Sequence, residues 1–261
     1  MKLRIITWNI SFNCNAEKIA EYLTKNISGY TIINLQEVLE PAHLKILSIL
    51  KPDGVAYSLD SRKAGKHEGE NRRMGVATYV FGGEILSHNL VARSIFPERT
   101  LYSTIGFGGK DVSILNFHSL AGVDYKKAKS SNFASLADFI DGNYMDFFTC
   151  DANEPKTDSM NDDEIEFFDN KDNGGKASLL FGKDKVHLLK DAFKTHIGNT
   201  GAVDHLSPLA VSHVISKRFR RRYDHIYCSD KWKIKDLQYP FEDSVEASSD
   251  HSAVIGDFFL R

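Results

Sequence analysis

Short apolar, β-branched runs recur along this chain, and six polar signatures sit at their ends: Trp8-Asn9, Gln36-Glu37, Asn116-Phe117-His118, Asp151-Ala152-Asn153, Tyr223-Asp224-His225 and Ser249-Asp250-His251. Runs such as Leu3 to Ile10 and Tyr30 to Leu35 are too short and too continuously apolar for an amphipathic helix, so they read as buried strands. A strand that ends in Asn, Glu, His or Asp aims an amide, carboxylate or imidazole out of the sheet. Several such strands together can line one polar cleft, the equipment of a metal-assisted phosphodiesterase. The fold must therefore bury sheets while keeping one end of them open.

The pattern between the signatures supplies the rest of the framework. Asn15 is placed to cap a helix with Ile19, Tyr22 and Leu23 on one face. Pro41 opens a second helix, with Leu44, Leu47 and Leu50 predicted inward and Pro52-Asp53-Gly54 as its stop. Residues 60–73 are polar and glycine-containing and predict a mobile surface loop. Gly75 to Phe81 and Ile85 to Ala92 flank Gly82-Gly83-Glu84 as a predicted hairpin, and Leu101 to Phe107 and Val112 to Phe117 flank a second. Tyr125 to Ile140 predicts a helix burying Phe133, Leu136, Ala137 and Ile140, followed by a strand from Met145 that delivers Asp151. Residues 154–176 read as a long excursion with a little helix near Glu164 to Phe168, and helical signals continue through Ala177 to Leu180. Arg222 to Cys228, Trp232 to Tyr239 and Ser252 to Leu260 read as closing strands. Strand signals at both ends and no Pro/Ser linker predict a single domain over 1–261, with two packed sheets and helices outside.

A chain of 261 residues, 42% apolar and 26% charged, can bury a sizeable core, and its net charge of -2 argues against coating nucleic acid by bulk attraction. Local basic fields remain compatible with that balance. Cys14, Cys150 and Cys228 are sparse and in no metal-ligand spacing, which predicts a reducing compartment. The N-terminal run reaches Thr7-Trp8-Asn9 too soon for a signal-peptide core, and no apolar run approaches the ~20 residues of a bilayer span. The expectation is a soluble cytoplasmic protein with no membrane partner and no obligate protein partner.

Each signature carries a plain reading beside a chemical one. Trp8-Asn9 is either a strand end or an amide set to bond a metal-ligating carboxylate or a phosphate oxygen. Glu37 follows Ile32-Ile33-Asn34-Leu35, where a charge is drawn toward burial and needs a cation; magnesium, which takes few protein carboxylates and leaves room for phosphate oxygens, suits it. His118 is either a satisfied structural histidine or a site group. Asp151 and Asn153 are two apart, so on an extended backbone they share a side and can together orient a water, although Asp-x-Asn-x-Pro is also turn chemistry. Asp224 alternates with core residues and wants a donor, for which a histidine is suited. Asp250-His251 is either a solvated pair or a metal-contacting carboxylate beside a phosphate-facing imidazole. The basic run Lys217 to Arg222 is either a solvated face or a phosphate contact through Arg220, Arg221 and Arg222, with Arg72 and Arg73 weaker candidates of the same kind. Gly106-Phe107-Gly108-Gly109 joins two strands, and Asp172-Asn173-Gly174-Gly175-Lys176 lacks the Walker spacing. His187, His196, His205 and His213 lack metal-helix spacing, and no Gly-x-Ser-x-Gly elbow exists.

Taken in order, the six signatures resemble those of the endonuclease/exonuclease/phosphatase superfamily, whose members include pancreatic deoxyribonuclease, apurinic endonucleases, tyrosyl-DNA phosphodiesterases, inositol polyphosphate phosphatases and neutral sphingomyelinases. The resemblance runs from Thr7-Trp8-Asn9-Ile10 to Ser249-Asp250-His251-Ser252. It implies an α/β fold, a four-layer α/β/β/α sandwich with two central mixed sheets, deoxyribonuclease I-like. It further implies Asn9, Glu37 and Asp250 at a magnesium site, with manganese as a substitute, and Asp151 and Asn153 on the attacking water. His251 would face the scissile phosphate with Asp224 fixing its tautomer, and His118 would stabilise the phosphate or assist the leaving group. Two departures stand out: Cys150 replaces the usual Gly before Asp-x-Asn, and His118 stands where apurinic endonucleases carry Tyr. The leading expectation is thus a magnesium-dependent nuclease. Its rivals are a phosphatase or phosphodiesterase on a small phosphorylated molecule, lipid headgroup or tyrosyl-DNA adduct, and an inactive nucleic-acid-binding module.

Overall fold

In the computed structural model, which describes residues 1–121, 126–168, 176–201 and 207–261, the apolar runs become the strands of two sheets. The first half of the chain forms β1 (Lys2–Asn9), α1 (Ala16–Asn26), β2 (Thr31–Val38), α2 (Glu40–Leu50), β3 (Gly54–Tyr57), α3 (Ser58–Ser61), β4 (Gly75–Phe81), β5 (Glu84–Asn89), β6 (Thr100–Phe107) and β7 (Lys110–His118). The second half forms α4 (Lys126–Gly142), β8 (Phe147–Asp151), α5 (Ser178–Phe181), β9 (Lys190–Asp191), α6 (Ala192–Thr200), β10 (His213–Ile215), β11 (Phe219–Arg221), β12 (Asp224–Cys228), β13 (Trp232–Gln238), α7 (Phe241–Glu246) and β14 (Val254–Leu260). One sheet runs β13-β14-β1-β2-β4-β3, the other β5-β6-β7-β8-β12-β9, and β10 and β11 pair as a separate hairpin.

Three apolar clusters define the layers. Leu3, Ile5, Ile32, Val80, Ile114, Phe147, Ile226 and Phe258 fill the space between the sheets. Ile19 and Leu23 of α1 and Ile46 and Leu50 of α2 cover the outer face of the first sheet with Trp8, Ile33 and Leu35. Phe133, Leu136 and Ile140 of α4 and Leu180 and Phe181 of α5 cover the second sheet with Leu115, Phe117 and Phe148. Two mixed sheets between helical layers are the predicted four-layer sandwich. Cys150 is fully buried in the outer cluster of the second sheet, so the thiol is an apolar filler there.

Strand direction explains why the signatures meet. β1 and β2 are parallel, as are β7 and β8, so Asn9, Glu37, His118 and Asp151 come from C-terminal strand ends. β12 and β14 run antiparallel to their neighbours, so they bring Asp224 and the Ser249-Asp250-His251 segment to the same edge from their N-terminal sides.

Several local expectations are corrected. Gly75–Phe81 and Glu84–Asn89 form no hairpin: β4 lies between β2 and β3 in one sheet, and β5 is an edge strand of the other. The chain crosses between sheets at Gly82, held at φ +73, and at Gly83, where a Cβ would lie 2.5 Å from the Phe107 ring. In α2, Leu44 is 57% exposed and the inward face is His43, Ile46 and Leu50. His43 is accommodated there because its Nδ1 bonds the Tyr79 hydroxyl at 2.7 Å and its ring stacks on Tyr57 at 4.1 Å. The segment 60–73 lies at the surface as expected, and within it Arg62 pairs with Glu68 and Glu98, and Arg72 with the buried Glu98. The little helix expected near Glu164 to Phe168 is a short turn over Asp162–Glu164, after which Glu166 pairs back to Thr157. Tyr125, the 172–175 stretch and His205 lie outside the described residues. No helix among the described residues is long and apolar enough to cross a membrane.

Candidate active site

Three neighbouring strands place His118, Asp151 and Asp224 side by side, with His118 paired in register to Asp151 and Asp151 to Asp224. All three are buried, and Asp224 has no exposed surface at all. A cation or donor has to answer two adjacent carboxylates in such a place. His251 does so: its Nδ1 bonds Asp224 Oδ2 at 2.9 Å and its Nε2 lies 3.9 Å from Asp151 Oδ2. The His251 loop is itself fixed from the first sheet, since the Trp8 indole donates to the His251 carbonyl at 2.8 Å and the Ser249 hydroxyl donates to the Asn9 carbonyl at 2.6 Å.

Asp151 Oδ2 is the focus of the arrangement. Asn9 Nδ2 donates to it at 2.8 Å across the gap between sheets, and His118 Nε2 approaches at 3.5 Å. Asp151 Oδ1 accepts the Asn153 backbone N–H at 2.9 Å. The Asn153 side-chain amide lies 3.3 Å from the Ser119 carbonyl and 3.5 Å from Asp151 Oδ2, and its backbone holds φ 51. The turn reading and the site reading of Asp-x-Asn therefore coexist. Lys129 locks the same turn, donating to the Asn153 carbonyl at 2.8 Å while pairing with the buried Glu154.

Glu37 reaches the cleft through a distortion. The β2–β4 register slips between Leu35 and Val38, and Glu37 takes φ 57, a left-handed conformation costly for a residue with a Cβ. Its Oε2 accepts the Phe12 N–H at 3.1 Å and its Oε1 lies 3.7 Å from His118 Nε2. Beneath this edge, Gln36 donates to Asn116 at 2.7 Å and Asn34 to Thr149 at 2.8 Å, so the Gln36 and Asn116 halves of two signatures tie the sheets together.

The charges set the protonation pattern. Burial would strip the proton from His251, but the charges of Asp224 and Asp151 outweigh it and lift the imidazole to about 10. Burial and the Asp151 charge push Asp224 up to about 6, with His251 opposing them. Burial also opposes ionisation of Asp151, yet His251, His118 and the Asn9 N–H hold it below the usual carboxylate value. Burial and then repulsion from Arg99 push His118 down to about 4. Within the set His118, Asp151, Asp224 and His251 these directions favour two carboxylates, an imidazolium at His251 and a neutral imidazole at His118 near neutral pH.

Oxygen donors for a hard divalent ion are present. Asp250 is exposed beside His251, and Glu37 Oε1, like Asp151 Oδ2, faces His118 Nε2. The Asn9 side chain is engaged at both ends, its oxygen taking the Ser11 N–H at 2.9 Å, so it serves as a support for Asp151. Among the described residues, two sets bring three possible ligand atoms within 4.8 Å of one another, His213-Asp250-His251 and Asp151-Asp224-His251; Glu37 is in neither. One carboxylate with open surroundings suits magnesium, which keeps several waters and takes substrate oxygens.

The arginine expectations divide. Arg222 is corrected: it is 2% exposed and bonded to Asp158 at 2.7 Å and 3.0 Å and to Asp191 at 2.8 Å, so it is part of the scaffold and faces no phosphate. Arg72 is committed to Glu98 and lies 3.9 Å from the centre of the Phe96 ring. Arg73 and Arg220 are exposed, and Arg221 lies between the Phe168 and Phe219 rings at 5.9 Å and 5.6 Å.

Sequence reasoning passed over His213. Its ring stacks on His251 at 4.2 Å, and a backbone bridge links the two residues. Ser212, next to it, accepts the Tyr223 and Asp224 backbone N–H groups at 2.8 Å and 3.2 Å. No local spacing announces either residue; only the β10–β11 hairpin brings them to the edge.

No family model and no curated protein matches the sequence. Solved structures do match the fold. TDP2 from D. rerio, solved with a single strand DNA product, is 12% identical over 99% of both chains with a TM-score of 0.67. An endonuclease/exonuclease/phosphatase from Bacteroides vulgatus is 15% identical over 100% of both chains with a TM-score of 0.64. The human Nocturnin catalytic domain, solved with a sulfate anion, is 16% identical over 100% of this chain and 95% of that one, with a TM-score of 0.61. This chain has the endonuclease/exonuclease/phosphatase fold, the deoxyribonuclease I-like sandwich.

Proposed function

We propose that this protein is a divalent-metal-dependent phosphodiesterase that hydrolyses nucleic-acid backbones. The observation that carries the reading is the in-register row His118-Asp151-Asp224, closed by His251 at one strand edge. Two carboxylates buried side by side around one imidazole are costly to a fold and useful to a reaction that must handle water, a proton and a negatively charged phosphoryl group.

The roles follow from the protonation pattern. The His251 imidazolium, with Nδ1 held by Asp224, directs Nε2–H at a phosphoryl oxygen and stabilises the charge that develops there. Asp151 is ionised and oriented by Asn9, and it accepts the proton of the attacking water that the Asn153 amide helps to place. Neutral His118 lies between Glu37 and Asp151 and donates to the phosphate or leaving oxygen. Glu37 and Asp250 are the groups that would hold a magnesium or manganese ion. Bound there, it supplies a Lewis acid for the phosphoryl oxygens. The basic hairpin with Arg220 and Arg221, beside the 54% exposed Phe219, supports a backbone-and-base ligand, as does the single strand DNA product held by the D. rerio TDP2 relative in fold.

A cleavage screen with DNA, RNA, a tyrosyl phosphodiester and inositol phosphates, in magnesium or manganese and with EDTA, tests this. Metal-dependent cleavage of DNA or RNA that is lost in Asp151→Ala is expected. Full cleavage by Asp151→Ala refutes the reading, turnover confined to the small phosphoesters transfers the site to that class, and no turnover of any substrate leaves a binding module.

A further inference from the structure

Beyond Glu37 the edge of the first sheet runs on into a cavity. Leu35 of β2, Ala77 of β4 and Tyr57 of β3 stand in one register row, and β2 and β3 both run antiparallel to β4. The residues just past the row, Leu39, Arg73 and Leu59, therefore share the edge that carries Glu37. With Tyr57 and Ala64 they line a cavity of about 430 Å³. Its floor is apolar and has no polar atom to spare: Leu59 is buried, and the Tyr57 hydroxyl donates to the Val38 carbonyl at 2.9 Å while its ring stacks on His43 at 4.1 Å. A concave site of this size and lining suits a flat, largely apolar group. The rim differs from the floor. Lys63, Arg73, Glu40 and Asp60 are exposed around it, and none of the four is held in an ion pair among the described residues. Their neighbours Arg62 and Arg72 are instead drawn onto Glu98, at 3.3 Å and 2.9 Å, which ties the segment down and leaves Lys63 and Arg73 at the mouth.

We infer that this cavity takes one unstacked base of a single-stranded nucleic acid, with Lys63 and Arg73 on the phosphates beside it. The chemistry matches part by part. A base is flat and apolar on its faces, as the floor requires, and carries donors at its edge. The Glu40 and Asp60 carboxylates only accept, which suits the exocyclic amino groups of cytosine and adenine. The phenol ring of a tyrosyl phosphodiester, its oxygen esterified, would offer those carboxylates no donor. Two free cations suit the adjoining backbone. A base inside a duplex is paired and stacked, so the cavity selects a strand whose bases are free to turn out. The cavity adjoins Glu37 and the basic β10–β11 hairpin adjoins His251, so the two grips take different parts of a bound strand. The binding stands on the cavity and its rim; that the bound strand is cut rests on the functional reading above.

Binding is read by fluorescence anisotropy in EDTA, so that no turnover is needed, with a short single-stranded oligonucleotide and an analogue of the same length whose bases are all removed. Wild type is compared with Ala64→Trp, which fills the cavity from the surface segment, and with the double variant Lys63→Gln/Arg73→Gln. Ala64→Trp should weaken the normal strand about tenfold and the base-free strand less than about twofold, because the filled cavity and the missing base report one interaction. Ala64→Leu, a milder filling, gives the same comparison if the larger ring prevents folding. The double variant should weaken both strands alike and lower the slope of log affinity against log salt by about two. Equal effects of Ala64→Trp on the two strands, an unchanged salt slope in the double variant, or no binding of either strand by wild type overturns the inference. So does an Ala64→Trp protein that slows a tyrosyl phosphodiester and binds both strands like wild type, which gives the cavity to a phenol. Base-dependent binding in a protein that cleaves nothing leaves the cavity standing and overturns the catalytic reading; cleavage of DNA or RNA without base-dependent binding does the reverse.

Discussion

Two triads with the same charge inventory draw neighbouring members, Arg222 and Asp224, from one stretch of chain. Asp158-Arg222-Asp191 and Asp151-His251-Asp224 each place one cation between two buried carboxylates. The first is closed: three hydrogen bonds of 2.7–3.0 Å join its members, and its cation is a guanidinium that never deprotonates in water. The second is open: one contact is 2.9 Å, the other 3.9 Å, and its cation is an imidazole with a nitrogen left to face a ligand. A permanent cation with saturated partners makes scaffold. A titratable cation with an unsaturated edge makes a site.

The largest effects should fall on the open triad. Asp151→Asn is expected to lower kcat by about three orders of magnitude, within the range for removing a proton acceptor, and His251→Gln by about two, as for a single charge-stabilising donor. Steady-state kinetics together with a urea melt checks that neither change acts through unfolding. In the closed triad the result inverts. Arg222→Met leaves two uncompensated buried carboxylates and should cost about 3–5 kcal/mol of stability in urea unfolding. The kcat of its folded fraction should remain near wild type. An Arg222→Met protein that is stable but inactive would dissolve the distinction.

Much of this was legible in the sequence because a strand end is a local event. Apolar runs followed by Glu37, His118 or Asp151 predicted two packed sheets with helices outside, and the resemblance carried by the ordered signatures implied the four-layer sandwich that is observed. Distance along the chain hid the rest. Arg222 reads as the last member of a solvated basic run, and only Asp158 and Asp191, each contributed from a loop or short strand far away, turn it inward. His213 has no spacing partner, since its neighbour His251 is linked to it by a hairpin and a bridge. The predicted hairpin at Gly82-Gly83 failed for a related reason: the turn chemistry was right, but β4 already has partners on both edges, which sends β5 to the other sheet.

A smaller effect separates the triads by pH. His225 is pushed down to about 4 by burial and by Arg222, and burial pushes His187 and His118 to about 4 as well. Their folded values lie below the unfolded value near 6.5, so the unfolded chain binds protons first. Stability is therefore full above about pH 6.5 and falls as pH drops toward 4, by an amount on the order of a few kcal/mol. Thermal melts from pH 8 to 4 should show that loss, and His225→Phe should flatten it; a melt independent of pH in wild type contradicts the assignment. The smallest change is expected from the exposed Arg220: Arg220→Ala should raise KM modestly for a nucleic-acid substrate and reduce the slope of log affinity against log salt by about one. An unaltered slope removes Arg220 from the ligand path.

The central claim is that the open triad hydrolyses phosphodiesters. Its most direct test is release of aryl alcohol from a bis-aryl phosphate, with wild type and Asp151→Asn side by side in magnesium, in manganese and in EDTA. The account predicts steady turnover by wild type in at least one metal, none in EDTA, and a residual rate about a thousandfold lower in Asp151→Asn. Equal rates in the two proteins, or no turnover by wild type in either metal, would contradict it.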